Sequence, residues 1–412
     1  MTPQHPTVDS RSFAALRHPG YRGFFFSFAG AMMADNIEHV ISYWVIFGKF
    51  QSAALAGFAV IAHWLPFLLL SVHAGALADR FDARRVIQAG MLLFMGVSVA
   101  WGVLFATDTL EMWHAMVLLV LHGLAGVLWS PASQVLLHHV VPLETLPSAV
   151  RLNATARQLG LLAGPAVGGL ILIVMGPIYG IFFNALLYLP TFLWLMRAPY
   201  DPAAHPRSQR AIGGFRDIFD TIKEVAGHRT LSAMIALAGA ASLFIGNAYH
   251  AQMPEFAHAL GQTEADFYYS MLLAADAAGA LTAGLVLESR GLLPPRSRTA
   301  FMLAIIWCCA LAGFALSPFY VLALVLLFVA GFTELSFNSM AQTLVQLNAP
   351  PAIRGRVIGL FTMSALGLRT FSGVSVGLVG SLIGIHSSLA LSAVAFALLS
   401  VGLLLMMRRA PQ

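Results

Sequence analysis

Three ionisable side chains lie close together in an otherwise apolar segment near the start of the chain. Asp35, Glu38 and His39 interrupt the apolar residues 23–48. Spacings of three and four residues place all three side chains on one face of a helix. A charged side chain in the hydrocarbon core of a bilayer costs about 2.5–3.5 kcal/mol even on the insertion scale, so these residues are functional candidates. Two interpretations stay open: a site that loads a proton or contacts a substrate, and a static pair that holds this helix against a neighbour.

Further charged residues lie within other apolar segments. Arg157 keeps its charge and therefore needs a carboxylate or water. The acids of the first segment are its nearest candidate partners, and a static bridge is the alternative. Asp276, Glu334 and Arg369 occupy the second half of the chain, and Asn338 follows Glu334 by four residues on the same helical face. For these residues a polar cavity and bridges between helices are both open.

The histidines carry a weaker expectation. No pair or group of histidine and cysteine residues has a spacing typical of a metal site, so no metal ligands are predicted. An isolated histidine in a span is more typical of hydrogen-bonded packing than of function. The histidines in or near the predicted spans are His114, His122, His138, His139 and His250.

The composition identifies the class of protein that must position these residues. Of the 412 residues, 58% are hydrophobic and only 10% are charged, whereas soluble proteins have about 25% charged residues. The net charge of +5 does not indicate nucleic-acid binding, because the basic residues fall in short loops between apolar segments. We therefore predict an all-α membrane protein without a cofactor. No nucleotide-binding loop or catalytic triad is found in the sequence, so an enzyme is not expected.

Twelve apolar segments are long enough to cross about 30 Å of hydrocarbon. They cover residues 23–48, 54–77, 86–106, 112–138, 147–174, 177–196, 230–253, 266–287, 299–317, 319–345, 357–383 and 385–407.

A polar segment divides these spans into two sets of six. We predict an N-terminal six-helix bundle over 1–196, a linker with an amphipathic helix over 197–229, and a C-terminal six-helix bundle over 230–412. Twenty of the 23 lysine and arginine residues fall on the side that holds both termini. The positive-inside rule therefore predicts that both termini are cytoplasmic.

Small and acidic residues recur between the two halves in the same order. An offset of 208 or 209 residues in three sets indicates a parallel duplication, with a pseudo-two-fold axis along the membrane normal. The sets pair Gly75 and Asp79 with Gly284 and Glu288, Gly164 and Gly168 with Gly373 and Gly377, and Gly123, Gln134 and Pro142 with Gly331, Gln342 and Pro350.

The loop between the second and third spans holds a spaced set of one glycine, one acid and three arginines: Gly75, Asp79, Arg80, Arg84 and Arg85. This spacing resembles the signature of the major facilitator superfamily of secondary transporters, with Asp82 in place of the usual glycine. The resemblance implies that Asp79 braces a cytoplasmic gate against the helix that begins at residues 354–356. It also implies a degenerate second copy that includes Glu288 and Arg290.

A second pattern lies in the fifth span, where Gly160, Gly164, Pro165 and Gly168 resemble the glycine-proline signature of drug:proton antiporters. Together with Arg17–Arg22 and the residues around 354–357, it makes the chain similar to the branch of enterobactin exporters and macrolide efflux proteins.

The resemblance implies a monomeric, proton- or sodium-coupled secondary transporter in the bacterial inner membrane. The expected function is export of a small amphiphilic molecule, such as a siderophore or a drug, by alternating access. A uniporter or importer of a small metabolite, and a membrane sensor that does not transport, are the alternatives.

Overall fold

The structure, a computed structural model, is helical throughout the part that it describes. The described residues are 9, 11–198, 212–246, 248–260, 265–290, 292–372 and 379–409. No strand occurs among these residues, so the predicted all-helical class is confirmed for them.

The first half consists of long helices joined by short turns. Ser52 caps the second helix by accepting a hydrogen bond from the Leu55 amide at 3.2 Å, as is typical of a helix N-terminus. Gly176 interrupts the fifth helix with a φ of +72°, at the hairpin predicted between residues 174 and 177. The helices are α1 (Pro19–Phe50), α2 (Ala53–Arg80), α3 (Ala83–Ala106), α4 (Met112–Val140), α5 (Leu146–Leu187) and α6 (Leu189–Arg197).

The second half begins with the predicted amphipathic helix. Phe215, Phe219 and Ile222 are exposed there, whereas Val225 is buried, so an apolar stripe faces outward as in helices that lie at a membrane surface. The helices of this half are α7 (Arg216–Ala226), α8 (Arg229–Phe244), α9 (Ala248–Ala251), α10 (Met253–Ala259), α11 (Ala265–Arg290), α12 (Ser297–Leu316), α13 (Tyr320–Asn348), α14 (Arg354–Ala365), α15 (Val379–Ile383) and α16 (Ile385–Arg409).

Eight helical stretches of the described chain are long and apolar enough to cross a membrane. One of them, Leu143–Arg197, is 55 residues long and contains the Gly176 kink, so it has the length for two crossings. The 32-residue α1 is not among the eight, since its polar residues lower its hydropathy. The chain is a multi-pass membrane protein, and the count of twelve spans stays a prediction.

Two of the predicted spans are interrupted in the structure. The segment 230–253 breaks after α8, because Gly246 adopts a φ of +51°. The segment 357–383 breaks after α14 and continues as a 3-10 helix over Gly367–Phe371. A Cβ built on Gly246 would collide with the side chain of Ser372, so the two interruptions lie against each other. Irregular backbone at membrane depth requires protein or a water-filled cavity around it.

The described chain forms two compact units. The first contains Phe13–Thr221 and Ala349–Met363, and the second contains Ile222–Asn348 and Ser364–Gln412. The first unit therefore includes most of α14. The division at 196 and 229 stays a prediction, and residues 199–211 of the predicted linker lie outside the described residues.

The glycines of α5 allow α1 to pack closely inside the first unit. A Cβ on Gly160 would lie 2.9 Å from the Cβ of Met32, and a Cβ on Gly168 would lie 3.2 Å from the Cβ of Val40. Gly164 lies between them and meets Asn36. Small residues spaced by four are the usual means of close helix approach in membranes. This packing fixes the rotation of α1, and thereby the direction in which its polar residues face.

The other repeated glycines predicted from the sequence are only partly described. Gly123 of α4 packs against the Ala62 carbonyl of α2, and Gly331 of α13 packs against the Asp276 carbonyl of α11. Gly373 and Gly377 lie outside the described residues.

Candidate functional site

A hydrogen-bonded network inside the first unit joins α1 to α4. The His122 Nδ1 lies 2.8 Å from the Glu38 Oε1, and the His122 Nε2 lies 2.9 Å from the Asp35 Oδ1. The side chains of His122 and Glu38 are 4% and 2% exposed, and that of Asp35 is 15% exposed. One imidazole thus bridges the two carboxyl groups that the sequence predicts as a chemical centre.

Two neighbouring helices complete this network. The Ser98 hydroxyl of α3 donates a hydrogen bond to the Glu38 Oε2. The Asn184 amide of α5 lies 3.5 Å from the same Glu38 oxygen and from the Ser98 Oγ. We call Asp35, Glu38, Ser98, His122 and Asn184 the His122 network. Because the side chain of Glu38 is surrounded by protein, any charge that it carries depends on the polar groups of this network for stabilisation.

The two contacts of His122 determine how much charge the network carries. Each nitrogen–oxygen contact requires one proton between its two atoms. His122 is therefore either an imidazolium between two carboxylates, or a neutral imidazole beside one carboxylate and one protonated carboxyl group. In both cases two acids and one imidazole carry a net charge of −1, and one additional proton brings it to zero. Such a group changes from a net charge of −1 to a neutral state on uptake of a single proton.

Two more histidines lie beside the network. The ring of His39 on α1 is 4.7 Å from the ring of His122 and 4.9 Å from the ring of His63 on α2, measured between centroids. His39 and His63 are half-buried. We call His39, His63 and His122 the histidine group.

The sequence identified part of this site. Asp35, Glu38 and His39 lie together with the network, but His122 was expected only to pack, and His63 was not singled out. Their positions on α4 and α2 show no common spacing, so only the packing of three helices brings them to α1. Arg157 is half-buried on α5. The contacts given above link both acids to His122, and the pairing of Arg157 with either acid stays a prediction.

A second polar cluster lies inside the second unit, beside the interrupted helices. The Tyr249 hydroxyl is 3.4 Å from the Glu334 Oε2 and 3.5 Å from the Asp276 Oδ1. The His250 Nε2 lies 3.2 Å from the Asp276 Oδ2. Arg369, on the 3-10 helix, interacts electrostatically with Glu334. These five residues, which we call the Tyr249 cluster, bring both signs of charge together around the buried side chains of Tyr249 and Asp276.

The structure therefore groups the three charged residues predicted for the second half. Tyr249 and His250 lie beside them because α8 ends at Phe244 and a separate short helix, α9, carries both residues. The sequence pattern does not predict this break. Asn338 is half-buried one turn beyond Glu334 on α13, and its part in a cavity stays a prediction.

The loop after α2 makes a separate contact within the first unit. The Asp79 carboxylate accepts hydrogen bonds from the Gly355 amide at 2.5 Å and from the Arg356 amide at 3.0 Å. These amides belong to the first turn of α14, where unpaired N–H groups and the helix dipole favour an anion. A Cβ on Gly75 would collide with the Gly355 carbonyl, so only glycine permits this approach. We call this the Asp79 contact.

Arg356 holds the Asp79 contact from a second direction. Its side chain is fully buried, with Nη1 3.4 Å from Asp79 and Nε 3.5 Å from the Asp217 Oδ1 of α7. The buried guanidinium thus has a carboxylate on each of two sides, and removal of either acid would remove one of these two interactions.

The remaining signature residues have different surroundings. Asp82 caps α3 by accepting a hydrogen bond from the Arg84 amide, and its carboxylate pairs with the Arg84 guanidinium at 2.8 Å. Arg84 also donates to the Ala198 carbonyl at 2.8 Å. The departure from the usual glycine thus supplies a helix cap. Arg80 and Arg85 are exposed.

The second copy of the signature lies at the end of α11. Glu288 is buried and Arg290 is exposed. The gate roles of both residues stay predictions.

Long apolar helices, buried ionisable groups and the Asp79 contact define a membrane transporter rather than an enzyme. Residues 10–412 match the family model described as transmembrane secretion effector. The chain therefore belongs to this family, which is part of the major facilitator superfamily.

Relatives and solved structures agree with this membership. The enterobactin exporter EntS of Shigella boydii serotype 18 is 27% identical over 345 residues, which are 81% of this chain and 78% of EntS. The human organic anion transporter MFSD10 has a similar fold, with a TM-score of 0.74 at 14% identity, over 94% of this chain and all of MFSD10. The Escherichia coli fucose:proton symporter FucP gives 0.70 at 14% identity, over 98% of this chain and all of FucP.

Proposed function

We propose that this protein is a proton-coupled exporter of a small amphiphilic molecule, such as a siderophore or a drug. The observation that carries the proposal is the single imidazole of His122 between the buried carboxyl group of Glu38 and the largely buried carboxyl group of Asp35. The two acids and the imidazole together carry a net charge of −1, which becomes zero on uptake of one proton. This change in charge alters the free-energy cost of exposing the network to hydrocarbon. The relatives named as enterobactin exporters support export and a siderophore-like cargo.

The proposed transport cycle is alternating access between two six-helix bundles related by a pseudo-two-fold axis. Twelve spans and a cargo site near the middle of the bilayer belong to this proposal. It is supported by the glycine contacts of Gly123 and Gly331, which join α4 to α2 and α13 to α11, and by the repeat in the sequence.

Protons from the outer side of the membrane would protonate the His122 network. Protonation would weaken the attraction of Asp35 and Glu38 for a neighbouring cation, which we propose is Arg157. Glu334 and Arg369 are the corresponding pair in the second half. Release of either pair would favour the opposite conformation, because protonation and conformation are then linked. The conservative alternative, a static polar core, predicts no such link.

The proposed location is the bacterial inner membrane, with both termini and the linker in the cytoplasm. The arginines around Asp79 and Arg356 support this orientation, since basic residues favour the cytoplasmic side. The Asp79 contact then lies on the cytoplasmic side, where it would stabilise the conformation that is closed to the cytoplasm. A monomer is the proposed working unit.

A panel of siderophores and a panel of amphiphilic drugs, tested separately, would identify the cargo. Export is measured from cells that lack the gene and from the same cells complemented with it, with and without a protonophore. We expect at least one compound to leave complemented cells faster, and the protonophore to abolish the difference. The proposal fails if no compound in either panel is exported, or if export is unaffected when the proton gradient is collapsed.

A further inference from the structure

The histidine group has the composition of a transition-metal site. One imidazole nitrogen from each of His39, His63 and His122 lies within 4.8 Å of the other two. The three residues come from α1, α2 and α4, so the helix packing of the first unit forms the group. A tetrahedral zinc ion with nitrogen ligands at 2.0–2.1 Å needs about 3.3 Å between ligand atoms. A shift of roughly 1.5 Å, within the range of side-chain rotation, is enough to close the group around an ion.

Asp35 is the candidate for a fourth ligand. Its Oδ1 lies 2.9 Å from the His122 Nε2, and a side-chain rotation would turn this oxygen toward an ion held by the three imidazoles. An ion located there would replace the proton that now joins these two atoms. Three imidazoles and one carboxylate are a ligand set that zinc and related divalent ions accept.

Glu38 provides the support that metal-binding histidines usually have. Its Oε1 lies 2.8 Å from the His122 Nδ1, and when the Nδ1 proton is donated to this oxygen the Nε2 is left for a metal. A carboxylate behind a metal-bound imidazole fixes the ring orientation and increases its basicity. Ser98 in turn holds Glu38, so the arrangement is present before an ion binds.

The charges also fit a divalent ion. With a divalent ion on Nε2, the neutral imidazole of His122 keeps its Nδ1 proton, and the carboxylates of Asp35 and Glu38 contribute −2. The ion contributes +2, so the sum is zero, which is favourable where hydrocarbon surrounds the protein. A monovalent ion would leave one negative charge.

The group is also accessible. His39 and His63 are half-buried, and the Asp35 side chain is 15% exposed. His122 and Glu38 close the inner side. The ligand atoms contributed by α1 and α2 therefore lie on the partly exposed side of the group.

We propose that the first unit binds one divalent transition-metal ion, of the zinc, cobalt or nickel class, through His39, His63, the His122 Nε2 and Asp35. The bound ion ties α1, α2 and α4 together and occupies the atoms that hold a proton in the metal-free protein. This binding does not require that the protein export anything or couple to protons.

Zinc binding to the purified full-length protein in detergent tests the proposal directly. Any affinity tag is removed first, and the measurement is made by calorimetry at constant pH without a membrane gradient. We expect one site in the wild type. Glu38→Gln, which removes the supporting carboxylate, should lower the zinc affinity by roughly 10- to 100-fold. His63→Asn and His39→Asn, which each remove a ligand, should lower the zinc affinity by more than this. His73→Asn is the matched control, because His73 lies on the same helix as His63 and contacts Phe215 instead.

Cobalt absorption provides a second readout that distinguishes this group from the cysteines Cys308 and Cys309. Intense d–d bands of tetrahedral cobalt without thiolate charge-transfer bands are expected. Absence of stoichiometric zinc binding in the wild type overturns the proposal, whether or not the variants fold. So does equal affinity in the wild type, His39→Asn and His63→Asn, or a thiolate spectrum. None of these results bears on export, which the compound panels measure separately.

Discussion

Replacement of Asp79 by asparagine is expected to open the first turn of α14. Asp79 accepts hydrogen bonds from the amides of Gly355 and Arg356, and it is one of the two acids beside the buried Arg356 side chain. Asparagine keeps one acceptor oxygen and loses the charge, so at least one charge-assisted hydrogen bond is lost. Such a bond contributes about 1.5–3 kcal/mol, which corresponds to roughly a 10- to 150-fold change in an equilibrium constant.

Hydrogen–deuterium exchange of the amides at positions 355 and 356 measures this opening directly. Local opening governs the exchange rate of these amides, so the Asp79→Asn protein should exchange them about 10 to 150 times faster than the wild type. Asp82→Asn is the matched control. Asp82 lies in the same loop but caps α3 and pairs with Arg84. Asparagine can still cap the helix, so any change in exchange caused by Asp82→Asn should be confined to the start of α3.

Unchanged exchange at 355 and 356 in Asp79→Asn would show that this carboxylate does not hold the first turn of α14. The same would follow if Asp82→Asn accelerated exchange at these two amides as much as Asp79→Asn does. In that case the loop as a whole, and not the carboxylate of Asp79, would hold the first turn of α14.

Two further predictions concern packing and charge in the membrane. Gly164→Ala should lower the free energy of unfolding by about 1–3 kcal/mol, because its Cβ meets Asn36. Gly169→Ala is the control and should leave this free energy unchanged, because its Cβ would meet nothing within 4 Å. Thermal unfolding in detergent compares the two variants, and an equal loss of stability in both would argue against the α1–α5 contact. Glu334→Gln and Arg369→Gln should each destabilise the second unit, and the double variant should lose less than their sum by about 0.5–3 kcal/mol. Additive effects in this double-mutant cycle would exclude a direct interaction.

Much of the fold was predictable because the bilayer restricts it. Apolar length and the distribution of arginines require membrane-crossing helices, whatever the details of packing. The interruptions at Gly246 and after Ala365 were not predictable, because both segments are apolar enough to continue as helices. Their conformation depends on the Tyr249 cluster and on the neighbouring interruption, which are tertiary features.

The candidate site was predictable only where its residues share one helix. Asp35, Glu38 and His39 have helical spacing, and their cost in hydrocarbon made them noticeable. His63 and His122 each lie alone on another helix, and a lone histidine has no periodicity that separates a packing role from a functional one. The close approach of α1 to α5, together with the packing of α2 and α4, brings these histidines to the acids.

Transport driven by a pH gradient in proteoliposomes measures whether the His122 network couples protons to export. Wild type, Asp35→Asn, Glu38→Gln and the control Asp108→Asn are compared with a cargo from the compound panels. Asp108 is an exposed loop acid whose carboxyl pKa is lowered by its hydrogen bond to Lys49. It therefore stays ionised over the pH range of the gradient, and its pairing with Lys49 is lost only as the pH falls through that lowered pKa.

The account predicts that Asp35→Asn and Glu38→Gln lose the gradient-driven component of transport, while Asp108→Asn keeps it. Gradient-driven transport that persists undiminished in both Asp35→Asn and Glu38→Gln would contradict the proposal that the His122 network couples protons to export.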